Sequence, residues 1–121
     1  MRTKALSLVI ASIVSIMVLS WAREIPSNAS EEEEINKLIQ TATTPQDHMK
    51  IANYYQKKAE EAELSANSHA SMAASYENRG KPMPGPAKHC SNLSKDYKKA
   101  AEEYKALAVE HKKMAEESQK K

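Results

Sequence analysis

Two histidine–methionine steps stand out in the chain, His69-x-x-Met72 and, forty-two residues later, His111-x-x-Met114. Residues three apart on a helix project from one face. Imidazole and thioether, joined by the thiolate of the single Cys90, form a soft donor set that suits Cu(I), with Zn(II) and haem iron as lesser options. Two half-sites can be drawn from these donors. One is His69, Met72 and Cys90; the other is His111, Met114 and His48, with His89 and Met49 standing beside them. Copper is the cofactor such half-sites would take. The same residues also read as packing. A methionine at helical spacing fills gaps, a histidine facing a tyrosine across a helix seam makes a polar layer that fixes register, and a lone cysteine behaves as a small buried apolar group.

The histidine–methionine step belongs to a longer duplication. Ala52 to Tyr76 returns as Ser94 to Ser118, with Tyr55 falling on Tyr97, Ala59 on Ala101, Glu60-Glu61 on Glu102-Glu103, and Ala66 on Ala108. Each copy carries a seven-residue repeat. In the first, one line holds His48, Tyr55, Ala62, His69 and Tyr76, and a neighbouring line is an unbroken alanine row, Ala52, Ala59, Ala66 and Ala73. In the second, the matching lines are Cys90, Tyr97, Tyr104, His111 and Ser118, then Ser94, Ala101, Ala108 and Ala115. A period of seven keeps the seam on one side of a supercoiled pair, and alanine there lets two backbones approach closely.

The elements that must position these residues follow from start and stop signals. Ser30, as an N-cap before Glu31 to Glu34, opens a short amphipathic helix over 30–43 whose acids suit the positive helix end. Thr44, Pro45 and Asp47 then read as cap, first residue and capping-box partner of a long helix reaching about Asn78. Gly80 is placed to end it in a left-handed turn. The loop spans about 80–86, and Pro86 opens a second long helix that runs nearly to the last residue. The expected fold is therefore all-α: a long antiparallel, coiled-coil-like hairpin (44–121) with an Ala-rich seam, preceded by a short helix. Folding it about Met83 sets Tyr76 level with Cys90, His69 with Tyr97, Ala62 with Tyr104, Tyr55 with His111, and His48 with Ser118. His69 and His111 then lie about 20 Å apart along the seam by helical rise, too far to share one metal.

Residues 1–22 read as a signal peptide. Arg2 and Lys4 precede an apolar run from Ala5 to Leu19, and Ser20-Trp21-Ala22 offers small residues at the cleavage positions. Ala5 to Ala22 is also near the lower length limit for a membrane-spanning helix, so an N-terminal anchor is the rival reading. Residues 23–29 form a flexible leader. This points to an exported protein of the bacterial periplasm, or one secreted or anchored by residues 5–22.

With 40% hydrophobic residues, many of them alanine or in the first segment, and no phenylalanine, the chain has little material for a large core. Self-association, or packing of the Ile35, Leu38 and Ile39 face onto the hairpin, is expected to supply the missing burial. A net charge of +2 with acids and bases interleaved argues against nucleic-acid partners. No nucleophile triad or phosphate loop appears, so an enzyme is not expected.

The sequence His-x6-Tyr-x6-Ala-x6-His-x-x-Met, a Pro-rich loop, then His-Cys-x6-Tyr-x6-Tyr-x6-His-x-x-Met-Ala resembles small exported bacterial proteins built as Ala/Glu/Lys-rich helical hairpins. The resemblance covers about Asp47 to Glu117. It implies the hairpin fold and export and brings no activity with it. Two functions remain: a non-enzymatic structural or interaction module of the cell envelope, partnered by itself or by another envelope protein, and a periplasmic copper-type binder. Binding of a client or a membrane surface through the hairpin is a third and weaker reading.

Overall fold

A computed structural model describes residues 28–120. The expected signal peptide and most of the leader lie outside the described residues. Three helices follow in order: α1 Asn28–Thr41, α2 Pro45–Asn78 and α3 Pro84–Gln119. No strand occurs among the described residues, and no helix there is long and apolar enough to cross a membrane.

The start of α2 is built by local chemistry. Thr44 Oγ1 accepts from the Asp47 backbone N–H at 3.1 Å, and the Asp47 carboxylate accepts from the N–H groups of Thr44 (3.1 Å) and Thr43 (3.2 Å). Pro45 follows at the first helical position, where its missing donor costs nothing. Those two backbone amides, Thr44 first, hold the Asp47 carboxyl below the usual aspartate range. They also explain why α1 stops at Thr41 rather than 43: the amides of Thr43 and Thr44 are taken by Asp47, and the last helical-type bond is Ala42 N–H to Leu38 carbonyl. At its other end α1 already includes Asn28 and Ala29, so Ser30 lies within the helix and is not its cap.

The connection between the long helices differs from expectation in two respects. Gly80 does not end α2 in a left-handed turn, because no glycine has positive φ. Arg79 is extended instead (φ −70°, ψ 159°), and the Met83 N–H reaches back to the Tyr76 carbonyl at 3.0 Å. α3 opens at Pro84 rather than at Pro86, so both prolines sit in its first turn. A first-turn residue has no intrahelical acceptor for its N–H, so proline is tolerated there and its fixed φ already suits the helix. The loop is therefore shorter than expected, running from Arg79 to Met83.

α2 and α3 lie side by side as a hairpin, and their partners run in opposite directions: His48 meets His111, Tyr55 meets Tyr104, and His69 meets Tyr97. The alanine row expected at the seam is buried throughout: Ala52, Ala59, Ala66 and Ala73 on α2, and Ser94, Ala101, Ala108 and Ala115 on α3. Ile51 is the one large side chain fully enclosed among the described residues. α1 packs on α2 through buried Ile35, while Leu38 is half-buried and Ile39 exposed. Its acids do more than favour a helix start: Glu31 pairs with Lys57 at 2.7 Å and Glu34 with Lys50. Exposed pairs contribute little, about 0–1 kcal/mol each, so Ile35 carries most of the docking.

Candidate functional site in the ring ladder of the seam

From the open end, His48, His111, Tyr55 and Tyr104 come alternately from α2 and α3, and a separate His69–Tyr97 pair follows towards the loop. At the open end the Nδ1 atoms of His48 and His111 are 3.2 Å apart, with ring centroids 5.4 Å apart and planes tilted by 35°. His111 is next to Tyr55 (6.0 Å), and Tyr55 stacks on Tyr104 (6.2 Å, 22°) while Tyr54 meets its edge (5.4 Å, 67°). Towards the loop, Tyr97 lies flat on His69 at 5.4 Å and 6°. Ring pairs of this kind each contribute about 0.5–1.5 kcal/mol beyond area burial, so the ladder helps to fix the register of the two helices.

The ladder corrects the layer scheme in detail. His69 faces Tyr97 and Tyr55 faces His111 as expected, but His48 meets His111 and not Ser118. Ser118 instead donates its hydroxyl to the Met114 carbonyl. The physical reason is interdigitation: a ring on one helix sits between two on the other, so Tyr55 touches both Tyr104 and His111. A further difference concerns the bond type. The His69–Tyr97 layer is a stack rather than a hydrogen bond, and the buried His69 Nδ1 has no partner in the described structure.

No family model, curated protein or solved structure matches the chain.

The histidine pair is the one place where two metal-competent donors of the expected half-sites face each other at bonding distance. Met114, the third member expected there, is 42% exposed. In the other half-site, Met72 is 46% exposed and lines an open hollow with Ser68, Ser71, Ser75, Tyr76 and Arg79, none of them a soft donor. Cys90 is free and half-buried. By the interdigitated register of the ring pairs, it falls between the levels of His69 and Tyr76 on α2. Met49 and His89 are exposed. Among the described residues no group of three histidine, cysteine or carboxylate side chains converges on a common point.

Sequence reasoning missed two contacts. Lys58 lies over the Tyr54 ring at 5.6 Å and bonds Glu61 at 3.1 Å, and Glu61 above all holds its ammonium more basic than usual. Burial pushes the Tyr54 phenol up. The heptad lines leave Tyr54 out, because it sits one position off the seam, under α1; only the adjacent pair Tyr54-Tyr55 hints at it.

The pair has a pH signature. Burial, then the neighbouring His48 charge, holds the His111 imidazole below its ordinary value of 6.5, with Glu110 opposing weakly. Facing it are His48 and Tyr55 from α2, and Glu110 lies beside it on α3. Between 6.5 and its lowered folded value, the unfolded chain binds a proton that folded His111 refuses. Stability is therefore complete above 6.5 and erodes as the pH falls through that window. Expected in chelator-treated buffer is a melting temperature that drops from neutral to mildly acid pH, with a smaller drop in His111→Gln. Equal slopes for parent and variant would contradict this assignment.

Proposed function

We propose that this chain is a non-enzymatic, exported helical-hairpin protein that serves as a structural or interaction module of the cell envelope. The hairpin is read as an antiparallel coiled coil, and residues 1–22 as the export signal or an N-terminal anchor, the only part that would touch a membrane. One observation carries the interaction reading. The seam is filled mainly by alanines around a single large enclosed side chain, Ile51, while larger apolar side chains along one stripe of α3 stay in solvent. Leu93 and Met114 are each 42% exposed, and half-buried Leu107 lies between them at heptad spacing.

A two-helix core of this kind is small, and exposed apolar surface rimmed by charge is the usual mark of an interface. Interleaved Lys and Glu on the outer faces favour a like partner over a strongly charged one. The occupant proposed is a second copy, giving a four-helix arrangement.

The test uses charge. Leu93→Glu combined with Met114→Glu should release monomers without loss of helix, read by light scattering and far-ultraviolet circular dichroism. Leu64→Glu, on a side chain 70% exposed and off the stripe, should leave the mass unchanged. Equal effects of the two changes would remove the stripe from the interface.

A further inference from the structure

The sequence suggests two three-donor sites built around copper; the structure suggests something different at one end. We propose that His48 and His111 form a two-imidazole site for one divalent cation of the Zn(II) type, tying α2 to α3 at the open end of the hairpin. This goes beyond the interaction reading and does not depend on it.

Two nitrogens bound to one tetrahedral zinc at about 2.0–2.1 Å stand roughly 3.3 Å from each other. The two Nδ1 atoms are already 3.2 Å apart, so accepting an ion keeps their separation and asks each ring only to turn its Nδ1 lone pair off the line between them towards a shared point. They come from different helices whose seam fixes them, and ordering cost is therefore met by folding rather than by binding. Both rings are half-buried, which limits competing water on the protein side while leaving a side open for further ligands.

Donor chemistry selects the class of ion. Imidazole suits zinc, copper and nickel as divalent ions, whereas Cu(I) gains from thiolate and thioether. Here the thioether of Met114 is half-exposed, and Cys90 is at the loop end of the seam. The Asp47 carboxylate beside His48 is occupied by the amides of Thr43 and Thr44. The remaining coordination positions are left to water.

Protons balance without an outside base. In the metal-free pair one Nδ1–H donates and the other Nδ1 accepts, so the rings are opposite tautomers. Binding through both Nδ1 atoms moves the shared proton, by way of solvent, to the Nε2 of the ring that held it. Both rings end as Nε2–H tautomers, and the neutral pair releases no net proton.

The experiment is a calorimetric titration of the full, tag-free chain with zinc chloride at pH above the histidine range, followed by long-range proton–nitrogen spectra of the histidine rings. Expected is one zinc per chain, with the Nδ1 resonances of His48 and His111 moving together. His48→Gln or His111→Gln should each weaken binding roughly a hundredfold, as loss of one arm of a chelate does. His69→Gln should leave it unchanged. Retention of zinc in both Gln variants, loss in His69→Gln, or Nδ1 resonances that do not respond would each overturn the site and leave a pair that shares only a proton. Should a Gln variant lose helix, the ring resonances of the unaltered chain decide alone.

Discussion

Ala66→Leu is expected to cost about 2–3 kcal/mol and to lower the melting temperature by roughly 10–20 °C. Ala66 is 1% exposed near the middle of α2, in the row that also buries Ala52, Ala59 and Ala73. The facing helix buries its own row of Ser94, Ala101, Ala108 and Ala115. Leucine would place three more carbon atoms between two backbones that alanine lets approach closely. A packed interior cannot absorb that volume without moving a helix. Displacement would not remain local, because the ring ladder shares the seam: His69 and Tyr97 stack at 6° only while the helices keep their spacing. Ala70→Leu is the control. Ala70 is exposed on the same helix, so the same chemical change should alter stability by less than about 0.5 kcal/mol. Thermal unfolding by circular dichroism measures both. Similar melting points for the two variants would mean that the alanine row does not set the helix separation.

Ile51→Ala is the second large effect, expected at about 3–4 kcal/mol. Ile51 is 0% exposed and has the largest fully enclosed side chain among the described residues. Its loss leaves a cavity beside the His48 and Tyr55 positions, one helical turn to either side. Ile35→Ala offers an instructive contrast. Ile35 is also buried, but it belongs to α1, which is held otherwise by exposed ion pairs from Glu31 and Glu34. Its removal should free α1 while the hairpin stays folded, so hydrogen exchange should rise in α1 alone. For Ile51→Ala exchange should rise in α2 and α3 together. If Ile51→Ala instead protected α2 and α3 as well as the parent does, the enclosed position would not be the anchor of the core.

Much of the architecture was legible because its signals are local or periodic. Thr44, Pro45 and Asp47 announced the start of α2 through their own hydrogen-bonding needs, and the alanine row every seventh residue identified the buried face before any partner was known. The connection was less legible. Pro84 and Pro86 are compatible with either a loop or a first helical turn, and proline's missing donor does not choose between them. The histidine pair was legible in part: His48 and His111 share an expected half-site, but one layer apart rather than in contact. Counting from the loop sets residues level, whereas packed rings interdigitate, and that half-step moved His48 from Ser118 to His111. By charge alone Glu31 and Glu34 suit a helix start; only the placement of α1 shows that they face Lys57 and Lys50.

The proposal that copies associate through the Leu93–Met114 stripe is tested most directly on the unaltered chain. Sedimentation equilibrium from micromolar to millimolar concentration should give a mass that rises from the chain value of 13.5 kDa, less any cleaved leader, towards twice that value. A mass that stays at one chain across the whole range would contradict it.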